Sequence, residues 1–125
     1  MEDFVPFEIA KKLRENGFPQ HIAEDAYIID NYGEDEYQIG DRLPIPLIPD
    51  YMDDIAAPTI SQVLKWLREE KKLHISIEYG YAEIPVWDFE IRLIGNYGWW
   101  WTAETYSSYE QATLAGIEYV LDNLI

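Results

Sequence analysis

Apolar residues recur along this chain with two different periods, and the periods divide it into helices and strands. Between Pro6 and Asn16, Ile9, Ala10 and Leu13 fall on one stripe at helical spacing. Pro6 suits the first helical position and Gly17 the residue just past the end. Lys11, Lys12 and Arg14 lie on the outer face and towards the C-terminus, where the helix dipole favours cations. Pro58-Thr59 opens a second helix that runs to about Lys72. Ile60, Val63, Leu64 and Leu67 form its buried stripe, Lys65, Arg68, Glu69, Glu70 and Lys71 mark its wet face, and Trp66 lies between the two. A last helix is expected from Ser107, where Ser107 and Glu110 make a capping box. Its stripe is Thr113, Gly116, Ile117, Val120, Leu121 and Leu124.

Elsewhere the period is two, which is the signature of a half-buried strand. Ala26-Tyr27-Ile28-Ile29 and Tyr37-Gln38-Ile39 are short strand candidates, and Asn31-Tyr32-Gly33 between them supplies turn chemistry for a hairpin. Leu43 to Pro49 holds three prolines in seven residues. It is therefore expected to be an extended connection that lays Ile45, Leu47 and Ile48 on the core, not a helix or a central strand. Three clearer strands follow. Leu73, Ile75, Ile77, Tyr79 and Tyr81 oppose His74, Ser76 and Glu78. Trp87, Phe89, Ile91 and Leu93 oppose Asp88, Glu90 and Arg92. Trp99, Trp101 and Ala103 oppose Trp100, Thr102 and Glu104. Short connectors, Ala82 to Pro85 and Gly95 to Gly98, make these an antiparallel meander with one apolar and one wet face. The expected order is α-β-β-α-β-β-β-α. It describes a single α+β domain over residues 1–125, with helices packed on one face of an antiparallel sheet.

Composition changes this picture mainly through charge. The 125 residues carry 24 acidic and nine basic side chains, for a net charge of −15. Residues 24–54 hold ten of the carboxylates against one basic residue, Arg42. Such a surface repels nucleic-acid backbones and anionic lipids and favours basic protein partners or cations. The chain has no cysteine, so disulfides and thiolate metal sites are excluded, in keeping with a reducing, cytoplasmic location. Met1 to Pro6 is acidic and lacks the apolar stretch of a signal peptide. No apolar run approaches the ~20 residues that span a bilayer, so no membrane association is expected.

Few residues carry candidate chemistry. Asp30 to Glu36 resembles a calcium loop only at first sight. Counted from Asp30, positions 3 and 6 are Tyr32 and Asp35, where an oxygen ligand and a glycine are required. An acidic hairpin turn is the expectation. Asp50, Asp53 and Asp54 form a second acidic group that could collect a weakly held cation, with a solvated loop as the default. His74, Ser76 and Glu78 share the wet face of one strand, but alternate residues project in parallel about 7 Å apart, which is wrong for a catalytic triad. Pro46-Leu47-Ile48-Pro49 matches a proline-rich recognition pattern, with packing the simpler use of its apolar side chains. There is no glycine-rich phosphate loop and no metal-binding histidine motif, so no cofactor is expected. Trp99-Trp100-Trp101 is the most unusual run. The alternation buries Trp99 and Trp101 and leaves Trp100 exposed among polar neighbours, as a binding anchor would be.

Two resemblances bear on these readings. Phe7-Glu8-Ile9-Ala10-Lys11-Lys12-Leu13 leading to Gly17-Phe18 is one motif. Ala57-Pro58-Thr59 with Val63-Leu64-Lys65-Trp66-Leu67-Arg68-Glu69 is another, and Ser108-Tyr109-Glu110-Gln111-Ala112 followed by Ile117 and Leu121 a third. Together they resemble short uncharacterised proteins of bacterial mobile elements and phages. The resemblance implies that context and no particular activity. Residues 59–125 also read α-β-β-β-α, the order of a double-stranded RNA-binding domain. Those domains grip phosphates with basic residues where this chain has Ser107-Ser108-Tyr109-Glu110, and Gly95 to Ile125 holds no Lys or Arg. Direct nucleic-acid binding is not expected.

The function expected is that of a non-enzymatic, acidic, protein-binding accessory domain of phage or mobile-element origin. Its partner would be a basic protein, and its contact residues Trp100 with Glu34, Asp35, Glu36, Asp50, Asp53 and Asp54. One alternative is a DNA mimic whose carboxylates imitate phosphates for a basic nucleic-acid-binding host protein. Another is an aromatic ligand-binding or weakly hydrolytic domain around Trp100.

Overall fold

The structure, a computed structural model, describes residues 3–29, 37–41, 54–80, 86–101 and 104–125. Its elements run α1 (Phe7–Glu15), β1 (Asp25–Ile29), β2 (Tyr37–Asp41), β3 (Asp54–Ala56), α2 (Ile60–Glu70), β4 (Leu73–Tyr79), β5 (Trp87–Leu93), β6 (Trp99–Trp101) and α3 (Tyr109–Asn123). The α+β class holds, and every expected helix and strand is present. β3 is an addition: three residues starting on an aspartate have too little alternation to announce a strand. The strands form two antiparallel sheets instead of one, ordered β2-β1-β3 and β4-β5-β6. Local pattern identifies strands but not their partners, so this division is outside its reach. The chain falls into two compact units, Met1–Gln62 and Val63–Ile125, and the boundary lies within α2. The proline-rich connection and the turn at residues 31–33 lie outside the described residues.

In the first unit, α1 stops where its sequence says it should. Pro6 is the N-cap, with extended backbone, so the helix starts one residue later than expected. At the other end Gly17 takes φ +88°, the left-handed region in which a side chain costs about 1–2 kcal/mol. Its amide donates to the Arg14 carbonyl and that of Phe18 to the Leu13 carbonyl, the hydrogen-bond pair of a Schellman motif. Ile9, Ala10 and Leu13 are buried as the stripe predicts. β1 is the central strand, with Ala26 opposite Gly40 on one side and Ala56 on the other. The Tyr27 hydroxyl donates to the Val5 carbonyl, and its ring meets Phe7 edge-on at 5.6 Å.

α2 begins with a reciprocal cap. The Thr59 hydroxyl accepts from the Gln62 amide while the Gln62 side chain accepts from the Thr59 amide, which satisfies two of the free donors at the helix start. Its buried residues are Val63, Trp66 and Leu67, with Ile60 and Leu64 only half-buried. The stripe is thus rotated towards Trp66, since the large indole gains more from burial than Leu64 does. After the helix Lys72 adopts φ 58°, a C-terminal position that usually falls to glycine.

In the second unit, α3 lies on one face of the β4-β5-β6 sheet. Gly116 makes this close approach possible. A Cβ there would stand 3.0 Å from Ile75 Cγ2 and 3.3 Å from Phe89 Cγ. Thr113, Gly116, Ile117, Val120 and Leu121 are buried, as the stripe predicts, and Ala112 joins them. The N-cap is Ser108, whose hydroxyl accepts from the Gln111 amide, one residue later than the expected Ser107. Ser107 instead donates to the Gln111 side chain, so the box is built on Gln111 and not on Glu110. β4 and β5 pair in full from Leu73–Leu93 to Tyr79–Trp87. Leu73, Ile75, Phe89 and Ile91 are buried, while Ile77 is half-buried.

Candidate functional site

The face of the β4-β5-β6 sheet turned away from α3 is built by register. Residues directly opposite one another in antiparallel strands share a face. Arg92 pairs with Trp99, Ile91 with Trp100 and Glu90 with Trp101. Because Ile91 is buried under α3, Trp100 belongs to the covered face, and Trp99 and Trp101 belong to the open one. This reverses the expected phase of the third strand: Trp99 and Trp101 are 51% and 65% exposed, and Trp100 is half-buried. Three consecutive tryptophans have no polar-apolar alternation of their own, so pairing with β5 decides the phase.

The turn before β6 sets that pairing. Ile94 to Tyr97 connects the strands, the Leu93 amide donates to the Gly98 carbonyl, and Gly95 turns the chain at φ +79°. Gly98 then leaves room for the Trp100 ring, whose Cζ3 and Cη2 atoms come within 3.2 Å of where a Cβ would be. A side chain at residue 98 would displace that ring and loosen the whole β5–β6 corner.

On the open face the side chains form rows. His74, Arg92 and Trp99 make one row, Ser76, Glu90 and Trp101 a second, and Glu78 and Asp88 a third. The two indole rings lie 4.6 Å apart between centroids, with their planes inclined at 41°. Arg92 places its guanidinium carbon 5.7 Å from the centre of the Trp99 ring and donates from Nε to Glu90 Oε1. Beside this group opens a shallow pocket of about 410 Å³ lined by Glu78, Asp88, Glu90, Trp99 and Trp101 together with Tyr79, Gly80 and Phe89. Glu78 and Asp88 stand directly opposite each other, a like-charge pair that destabilises a sheet. Among the described residues neither has an ion-pair partner.

This arrangement can hold a cation or a flat polar group against aromatic rings, with carboxylates at the rim. His74, Ser76 and Glu78 do share one face, as expected, but no hydrogen bond joins them. Nor do three or more metal-ligating side chains converge anywhere among the described residues. Burial raises the pKa of Tyr27. It lies in the first unit's core, where its hydroxyl serves the Val5 carbonyl.

Of the sequence-proposed contact residues, Trp100 is displaced from the open face by the register just described. Glu34, Asp35, Glu36, Asp50 and Asp53 lie outside the described residues. Asp54 opens β3, where its backbone pairs with Ile28. Trp99 and Trp101 are the site residues that alternation along the chain misses. The signal that finds them is their pairing with Arg92 and Glu90, legible only when the β5–β6 loop is counted back from Gly98. Comparison with protein-family profiles, with curated proteins and with solved structures returned no match to this chain.

Proposed function

We propose that this protein is a non-enzymatic binding module that engages a basic protein partner, in a phage or mobile-element setting, through the open face of its β4-β5-β6 sheet. The observation that carries the reading is the pair of exposed, neighbouring tryptophans, Trp99 and Trp101, set among Glu78, Asp88 and Glu90. Tryptophan is among the residues on which interfaces concentrate their binding energy. Two such rings held in water by a strand are a standing cost that burial under a partner removes. The net charge of −15 adds long-range attraction for a basic partner and speeds its encounter. The phage or mobile-element setting rests on the helix-opening and core motifs of the sequence.

Panning a random peptide library against the immobilised protein tests the reading, since a library samples every partner chemistry at once. Enriched peptides should carry net positive charge and release as salt rises. They should also lose binding to a Trp99→Ser/Trp101→Ser variant while keeping it to a Tyr97→Ser control, Tyr97 being fully exposed in the turn. Enrichment of neutral or acidic peptides, or indifference to the double substitution, would refute it.

A further inference from the structure

We infer that the pocket beside Trp101 receives the guanidinium group of an arginine side chain from the partner, stacked on the Trp101 ring and hydrogen-bonded to Asp88 and Glu78. The inference rests on the reading that this face binds a basic partner, and it names the group that is bound. The protein's own Arg92 supplies the precedent. That guanidinium already lies over Trp99 and donates to Glu90, which is how this surface treats an arginine of its own. One row along the sheet the same ingredients recur without an arginine. Trp101 is exposed, Asp88 is diagonal to it across the β5–β6 ladder, and Glu78 faces Asp88.

Charge complementarity favours a cation over a neutral ligand. Three carboxylates, Glu78, Asp88 and Glu90, line the pocket, while Arg92 is paired with Glu90. That leaves the opposed pair Glu78 and Asp88 to be neutralised, and a cation between them would remove their repulsion. The shape of the pocket favours guanidinium over ammonium. It offers an aromatic face together with two acceptors, and only arginine presents a plane that stacks and a fork of donors that reaches both carboxylates. A sugar would be recognised through stacking too, but would leave the negative charge of the pocket uncompensated.

The test follows the indole N–H resonances of the intact protein in NMR titrations. The ligands are glycine-serine peptides bearing one central arginine, its uncharged isostere citrulline, or lysine, and the neutral oligosaccharide cellohexaose. The arginine peptide should shift the Trp101 signal, and citrulline and cellohexaose should leave it in place. Lysine should bind measurably less tightly. Glu78→Gln with Asp88→Asn keeps the pocket's shape and should weaken arginine binding by about tenfold or more, the scale of a lost charge-assisted interaction. Circular dichroism of that variant should match the parent. Tyr97→Ser, in the turn and outside the pocket, should leave binding unchanged.

Equal binding of lysine and arginine overturns the guanidinium assignment and leaves a basic partner standing. A response to citrulline or cellohexaose equal to that for arginine overturns both. Unchanged arginine binding in the Glu78/Asp88 variant moves the cation away from the assigned carboxylates and so overturns the site.

Discussion

Substituting Trp100 and substituting Trp101 should have opposite consequences, although the residues are adjacent. Trp100 is half-buried on the face that carries Ile91 and packs over Gly98. Trp100→Ala should therefore cost about 1–3 kcal/mol in chemical denaturation, short of the 3–5 kcal/mol of a fully buried indole. Trp101→Ser removes a ring that is 65% exposed and should change stability by about 0.5 kcal/mol or less. The reverse ranking would mean that the β5–β6 register is shifted by one residue. Tyr27 makes stability depend on pH. Burial raises its pKa above the ordinary value of 10.0, so the folded state keeps the phenol proton after the unfolded chain has lost it. Stability from this group is complete below pH 10 and falls as pH climbs from there through the raised pKa. Tyr27→Phe should lose about 0.5–1.5 kcal/mol at neutral pH with the hydrogen bond to Val5. It should also show a shallower decline in stability above pH 10 than the parent. An identical alkaline slope would show that other tyrosines govern it.

At the scale of the elements, boundaries are legible to within a residue or two because end signals are local chemistry. Gly17 ends α1 with the left-handed turn that glycine permits. Ser108 and Gln111 start α3, where the neighbouring Ser107 and Glu110 suggest a start one residue earlier. The cap can be assigned by mutation. Ser108→Ala should cost about 1 kcal/mol, because an amide of the first turn loses its acceptor. Ser107→Ala should stay within about 0.5 kcal/mol, since its hydroxyl bonds an exposed side chain. Thermal unfolding of the two variants distinguishes them, and equal losses would return the cap to Ser107. The faces of elements are less legible than their ends. The α3 stripe holds from Thr113 to Leu121 and lapses at Leu124, which is the half-buried C-cap, while α2 buries Trp66 in preference to Leu64, a choice made by what the helix packs against.

For the whole molecule, the dominant quantity is the net charge of −15 on 14.7 kDa. Like charges at this density repel, and the folded state holds them closer together than the unfolded chain does. Raising ionic strength from about 0.02 M to about 0.3 M shortens the screening length to below about 10 Å and should raise the thermal midpoint. A midpoint that falls with salt would mean that favourable ion pairs outweigh the repulsion. Arg92 and Glu90 form one exposed pair, and exposed pairs contribute only about 0–1 kcal/mol. Free nucleic acid is expected not to bind at low salt, because a net charge of −15 repels its phosphates.

The sequence by itself determined the class of fold, the helices, five of the six strands, their order and the α3 stripe. Each of these follows from local periodicity and from end residues whose preferences act within a few positions. It also determined the sign of the surface, since charge needs no structure to be counted. The tertiary structure decided which strands pair, that they form two sheets, and which tryptophans of the Trp99–Trp101 run meet the solvent. Those outcomes depend on loop length and register between distant segments. Because side chains alternate with a period of two, one residue of register exchanges the buried set for the exposed set. In a strand of three identical residues nothing local resists that exchange, so Arg92, Ile91 and Glu90 on the neighbouring strand assign the faces.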